Sequence, residues 1–311
     1  MMFLAATVLA VFAVAGHTDT TIAVRTGTRL EVSNFNGEIS VSAWDRNAVR
    51  VEADHGPRTR IALESSASGL RISASGYRGV PGSVEYHISA PAWMPLDISA
   101  PFSDVSVDGA RGEVKVETVK GDVRVRGGVG FVELSSVQGE VSLVGAKGRL
   151  KLSSINEGVM AKQVAGQLTV ETVNGDIAID DVQLDLLEAS SVSGSLWFSG
   201  ALLKNARYQL QSHNGNIQVV VPDHPSANVS VSTFSGDFSS DFDVMLNGTK
   251  RGNRRMSFLL GDGGPQFDLE SFNGSIELLK ASKVEAVRKK MKSHDAENGK
   301  APKDEAKNSE D

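Results

Sequence analysis

The sequence predicts an all-β fold, a parallel β-solenoid with coils of about 18–21 residues, an irregular N-terminal β cap and a largely disordered C-terminal tail. Three observations predict it. A short phrase recurs at nearly fixed spacing, apolar and polar residues alternate around its copies, and 31 glycines stand beside 9 prolines and no cysteine in 311 residues. A fixed short period marks stacked repeats, alternation with period two marks strands, and abundant glycine marks tight turns. Without cysteine there is no disulfide framework, thiolate metal site or cysteine nucleophile, so packing and hydrogen-bond ladders must hold the stack. The balance of 32 Lys+Arg against 38 Asp+Glu, net −6, leaves no basic footprint for nucleic acid.

Residues 1–15 read as an export signal. Phe3 to Ala15 is apolar but for Thr7, and Ala13-Val14-Ala15 before Gly16 has the small-x-small form of a cleavage site. No Lys or Arg precedes the run, a departure from the usual charged start. The run is shorter than the roughly 20 apolar residues of a membrane span, so none is expected after cleavage. An exported chain without cysteine points to a bacterium, because eukaryotic secreted domains so often carry disulfides.

Residues 16–95 are assigned to the cap and first coils. Strand-like stretches run from Arg29 to Val41, Val49 to Glu52, Ile61 to Glu64, Leu70 to Ala74 and Val84 to Ile88. A solenoid end exposes unpaired strand edges, so a non-repeating cover is expected there.

Residues 96–280 carry the repeats. The phrase reads Thr118-Val119-Lys120-Gly121, Ser136-Val137-Gln138-Gly139, Thr172-Val173-Asn174-Gly175 and Ser191-Val192-Ser193-Gly194, with an early copy at Asn34-Phe35-Asn36-Gly37 and later ones ending at Gly215, Gly236 and Gly274. These eight glycines, Gly37, Gly121, Gly139, Gly175, Gly194, Gly215, Gly236 and Gly274, are assigned to corners that need a positive φ. Before the corner, Leu96, Val114, Val132, Leu150 and Leu168 align at an 18-residue period; after it, Val105, Val123, Val141, Val159 and Ile177 do. The hydroxyl column of Thr118, Ser136, Ser154, Thr172, Ser191, Ser212 and Thr233 is expected to bond along the stack or to turn amides. Met256 to Leu260 and the final copy, up to Leu279, are expected to close the far end. Residues 281–311, with 8 basic and 7 acidic residues and no aromatic, read as a solvated tail whose first part has the spacing of a short basic helix.

The opening phrase from Leu30 to Trp44, the strand from Val84 to Pro91 and the serial Thr/Ser-Val-x-Gly-Asp-Val units together resemble a bacterial family of exported β-strand repeat proteins, known as domains of unknown function or putative adhesins. The resemblance spans roughly residues 28–280. It implies a β-solenoid in the cell envelope or outside it, and it brings no catalytic residues.

Chemistry is sparse. The acids after the corner, Asp122, Asp176 and Asp237 with Glu38 and Glu140, lack the Gly-Gly-x-Gly-x-Asp phrase of calcium β-rolls and read as turn residues. Asp180 and Asp181 with Asp104 or Glu140, and Asp223 with His224, are carboxylates for a sugar-cleaving site, but neighbouring strand residues point to opposite faces. His213 reads as a hydrogen-bonded structural histidine. No catalytic residue, metal site or cofactor is assigned. Trp197, one residue off the inward Leu196 and Phe198, is the outward side chain chosen as a contact for an envelope glycan or surface protein. The leading function is a non-enzymatic, adhesin-like binding or structural protein of the bacterial envelope, located in the periplasm, on the surface or outside the cell. The alternatives are a β-helix polysaccharide lyase or hydrolase and a self-assembling scaffold resembling bactofilins.

Overall fold

Period-two alternation lets each repeat bury one face of two short strands and leave the other face in water. In the computed structural model these strands form two ladders. The structure describes residues 16–66, 68–76, 79, 81–244 and 255–285, so residues 1–15, expected to be an export signal, and the tail beyond 285 lie outside the described residues.

The strand before each corner belongs to the first ladder. Leu96–Ser99, Val114–Glu117, Val129–Ser136, Lys147–Ser154 and Ala165–Thr172 pair in parallel and in chain order, with Val132 opposite both Val114 and Leu150. The strand after the corner belongs to the second, where Phe102–Ala110, Val123–Gly127, Val141–Val144 and Val159–Lys162 pair likewise, Val123 lying opposite Val105 and Val141. Ile177–Ser193 runs from the second ladder into the first without a break, so both belong to one sheet. Paired residues are 18 apart through these coils; the offset grows to 19 at Ile177 and Leu196, and to 21 at Leu187 and Tyr208. The inward columns, such as Val116, Leu134 and Leu152 facing inward from the first ladder, are fully buried. Further along, Phe198, Tyr208 and Phe267 fill the core, with the Tyr208 and Phe267 rings stacked at 4.6 Å.

The sheet is mixed. Arg29–Ser33 and Asn36–Trp44 make a coil of their own, with Leu30 opposite Leu96 and Ile39 opposite Val105. Beyond it the second ladder continues through Val84–Pro91 in parallel, then Ala48–His55 and His17–Ala23 antiparallel. The first continues through Gly69–Gly76 in parallel and Thr59–Ser65 antiparallel, because the turn between these two strands is too short for a parallel crossover.

At the far end, stacking order departs from chain order. Gln266–Asn273 slots between Arg207–Asn214 and Ala227–Thr233, placing Ser271 opposite Ser212. The expectation that the final copy closes this end is thereby corrected. Arg255–Leu260 returns antiparallel on the outer edge of Ala227–Thr233, so the inner edge is the one left for the last strand.

The corner glycines answer to a different need from the one read in the sequence. Only Gly37 and Gly121 hold a left-handed φ, 123° and 149°. At Gly139, Gly175, Gly194, Gly215, Gly236 and Gly274 the need is room: a Cβ would collide with the carbonyl oxygen of the corner residue on the adjoining coil. That closeness also redirects the hydroxyls. Ser136, Ser191 and Ser212 donate from Oγ to the carbonyls of Gly121, Gly175 and Gly194 at 3.0, 3.1 and 2.9 Å, instead of bonding to each other. The left-handed column lies at the opposite corner, where Gly109, Gly127 and Gly145 hold φ of 79°, 98° and 74° at an 18-residue spacing.

In the cap, the Tyr86 hydroxyl is buried with no hydrogen-bond partner, and burial pushes its pKa well above the usual value. Tyr86→Phe removes that stranded group and should stabilise the protein by about 1 kcal/mol in urea denaturation. Gly194→Ala, by contrast, should cost about 3 kcal/mol through overpacking, against about 1 kcal/mol for Ser212→Ala, which loses one hydrogen bond.

Candidate binding surface

Three of the residues weighed in the sequence meet in one groove. It opens on the outer side of the second ladder, at the strand ends far from the repeat-phrase corner, and holds about 410 Å³. Trp197 alternates with inward Leu196 and Phe198, which turns it outward, and it sits half-buried there. Asp180 and Asp181 join it, as do Lys162 and Gln163 from the coil before. Lys162 Nζ stands 3.5 Å from Asp180 Oδ2, and Gln163 Nε2 donates to Asp181 Oδ2 at 3.2 Å.

The local backbone explains how adjacent carboxylates share one groove. Gln163 and Asp181 continue the left-handed column of Gly109, Gly127 and Gly145, with φ of 54° and 55°. A left-handed residue breaks strand alternation, so the side chain after Asp180 is not sent to the opposite face. Residues with a Cβ adopt this conformation at a cost of about 1 kcal/mol or more, and such strain clusters where function requires it. Two coils thus carry polar side chains where the preceding three carry none.

The start of the tail forms one wall. Residues 281–285 are helical, and Ala281, Val284 and Glu285 line the groove. Asp223, weighed as a catalytic partner of His224, instead fastens this turn. Its Oδ1 accepts from the Ser282 amide at 3.1 Å, and this bond, helped by the Ser282 side chain, holds the carboxyl below the usual carboxylate range. Asp241 is lowered too, chiefly by the Lys283 ammonium and then by the Lys280 amide.

Three of the remaining acids tie one coil to the next. Asp104 Oδ1 accepts from the Asp122 amide at 2.8 Å, Asp122 Oδ1 from the Glu140 amide at 2.9 Å, and Asp176 Oδ1 from the Ser195 amide at 2.7 Å. They lie at the strand starts, so Asp104 and Glu140 do not join Asp180 and Asp181. No group of three His, Asp or Glu side chains suited to a metal occurs among the described residues.

A second surface was missed in the sequence. The second residue of each repeat phrase forms an exposed ridge along the corner. Val119, Val137, Ile155, Val173 and Val192 occupy its middle, all exposed except the half-buried Val137. At one end Phe35 sets its ring edge-on, at 5.2 Å, to Phe102, which follows the ridge residue Pro101 of the adjoining coil; at the other, Phe272 stacks on both Phe234 and His213, at 4.6 and 4.8 Å. His213, read in the sequence as a hydrogen-bonded structural histidine, is an exposed member of the ridge held by ring stacking. The signal was available: a buried hydroxyl immediately before each valine forces that valine outward. A larger concavity of about 580 Å³ at the far end of the first ladder includes exposed Leu259, but Asp268 there is paired with Arg255 at 3.0 Å.

Fold and surface together define an all-β stack of repeat coils with a strained polar groove and an apolar edge. The chain belongs to the Toastrack DUF4097 family, whose model matches residues 7–279; this is the domain-of-unknown-function family that the repeat phrases resemble. No curated protein matches it. Two solved structures are similar, each at 13% identity over 85% of this chain: a "putative cell adhesion protein" from Clostridium sporogenes, 99% covered with a TM-score of 0.25, and a "putative adhesin" from Parabacteroides distasonis, 98% covered with a TM-score of 0.40. No helix among the described residues is long and apolar enough to cross a membrane.

Because the Asp223 and Asp241 pKa values are depressed, the docking they support is present above the ordinary carboxylate range and is lost as pH falls through the depressed values. In a chain whose Trp44 and Trp93 are replaced by Phe, Trp197 emission should shift to the red as pH drops below about 4. Asp223→Ala should show part of that shift at neutral pH.

Proposed function

We propose that this protein is an exported, non-enzymatic, adhesin-like parallel β-solenoid with 18–21-residue coils that binds a glycan of the bacterial envelope through the Trp197 groove. In this reading residues 1–15 are the export signal, 16–95 the cap and first coils, 96–280 the solenoid and 281–311 the tail. One observation carries the binding assignment. Gln163 and Asp181 keep left-handed backbone that glycine provides on neighbouring coils, and both then line the groove with Trp197. The chemistry suits a sugar: the indole offers an apolar platform to a pyranose face, while the Gln163 amide, the Asp181 carboxylate and the Lys162 ammonium reach its hydroxyls.

Asp180, Asp181 and Lys162 sharing one groove also favours a second reading, a sugar-cleaving enzyme. The two readings separate on product. A binding protein returns its glycan uncut after long incubation, whereas a lyase or hydrolase generates new chain ends.

Envelope glycan should be retained on immobilised wild-type protein and released from Trp197→Ala. Gln163→Gly should weaken binding while raising stability by about 1 kcal/mol, since it removes both the amide and the backbone strain. Retention of every envelope glycan by Trp197→Ala at wild-type strength would remove the groove from the function.

A further inference from the structure

We propose that the apolar corner ridge is the seam of an antiparallel, two-fold homodimer. The inference does not depend on the glycan reading, since ridge and groove occupy different corners of the coil. The ridge runs from coil to coil because it is built by the ladder itself. Each residue after a ridge valine donates its amide to the ridge carbonyl of the preceding coil, as Asn174 does to Ile155 at 2.8 Å and Ser193 to Val173 at 2.7 Å. From Phe35 to Phe234 there are ten rungs at about 4.8 Å, or about 45 Å of edge.

Its area is out of scale for a lone monomer. The four phenylalanines are 43–56% exposed. At about 150–250 Å² per aromatic side chain they alone leave on the order of 300–450 Å² open, comparable with the largest apolar patch of an ordinary monomer. The aliphatic rungs between them bring the edge toward the roughly 800 Å² per partner of a stable interface.

Geometry selects the occupant. A row of side chains repeating at about 4.8 Å interdigitates without mismatch only with another row of the same period, as in dry zipper interfaces. A second copy supplies that row. It must run antiparallel, because a closed two-fold seam sets each rung against its counterpart from the other end. The axis then falls between Ile155 and Val173, Ile155 meets the partner's Val173, and the outermost rungs close aromatic on aromatic, Phe35 on the partner's Phe234, with Pro101 and the Phe102 ring beside it opposite the partner's Phe272. The cap strands occupy the stack ends, which makes this a lateral dimer and not an end-to-end filament.

The test is sedimentation velocity on the full chain, joined to cysteine cross-linking, which is unambiguous here because the sequence holds no cysteine. The wild type should dimerise with concentration. Ile155→Lys and Val173→Lys, both at exposed sites, should each weaken association at least about tenfold with unchanged circular dichroism and Tm. Ile155→Cys should cross-link to itself through a short bismaleimide. Phe35→Cys should not cross-link to itself but should link to Phe234→Cys when the two are mixed. A wild type that stays monomeric at its solubility limit overturns the proposal, as does self-linking at Phe35→Cys, which would mean parallel copies. Monomeric protein that instead co-sediments with phospholipid vesicles, and loses this with Ile155→Lys, also overturns it and assigns the ridge to a lipid surface.

Discussion

Hydrogen bonding between parallel strands holds successive coils about 4.8 Å apart, and the other features of this protein answer to that spacing. Equivalent residues are forced to stand over one another, so a side chain that suits one coil must suit its neighbours. Valine and leucine columns satisfy this inside. At the repeat-phrase corner the spacing brings backbone so close to backbone that a Cβ added at a corner glycine would collide with the carbonyl of the adjoining coil. Glycine there is a consequence of stacking, and the hydroxyl before the corner of the next coil reaches the corner carbonyl. Glu157 stands in the glycine place of one coil, and Thr172 donates to its carbonyl in the same way, at 3.2 Å.

The opposite corner obeys a torsional constraint instead of a steric one. Three coils meet it with glycine, and two meet it with Gln163 and Asp181. A stack selected for stability alone would have kept glycine, because every coil faces the same turn. The departure coincides with the outward Trp197 and with the wall supplied by the C-terminal turn. Rigid ladders on either side hold these side chains in place, which limits the ordering cost of binding a ligand.

The ladder also explains why so few charged groups are available for chemistry. Asp104, Asp122 and Asp176 are engaged by amides of the next coil, and some exposed charges pair across strands, as Lys151 does with Glu133 at 3.2 Å. A repeat that uses its acids as cross-links leaves chemistry to the places where the repeat breaks. Here those are the Gln163–Asp181 substitutions and the offsets of 19 and 21 residues that follow them.

The all-β class, the inward columns of the middle coils, the corner position of the glycines and the outward direction of Trp197 were legible in the sequence, because period-two alternation and an 18-residue repeat are local facts repeated many times. Three things were decided only by the tertiary structure. The stacking order at the far end depends on which edge of the Ala227–Thr233 strand the returning chain finds open. The reason for each glycine depends on what lies above it, and the sequence shows only that a glycine is there. The sharing of one groove by Asp180, Asp181 and Trp197 depends on a left-handed turn that sequence spacing alone assigns to opposite faces. Periodicity encodes what each coil repeats, whereas edges, close approaches and broken alternation arise between coils and exist only once they are stacked.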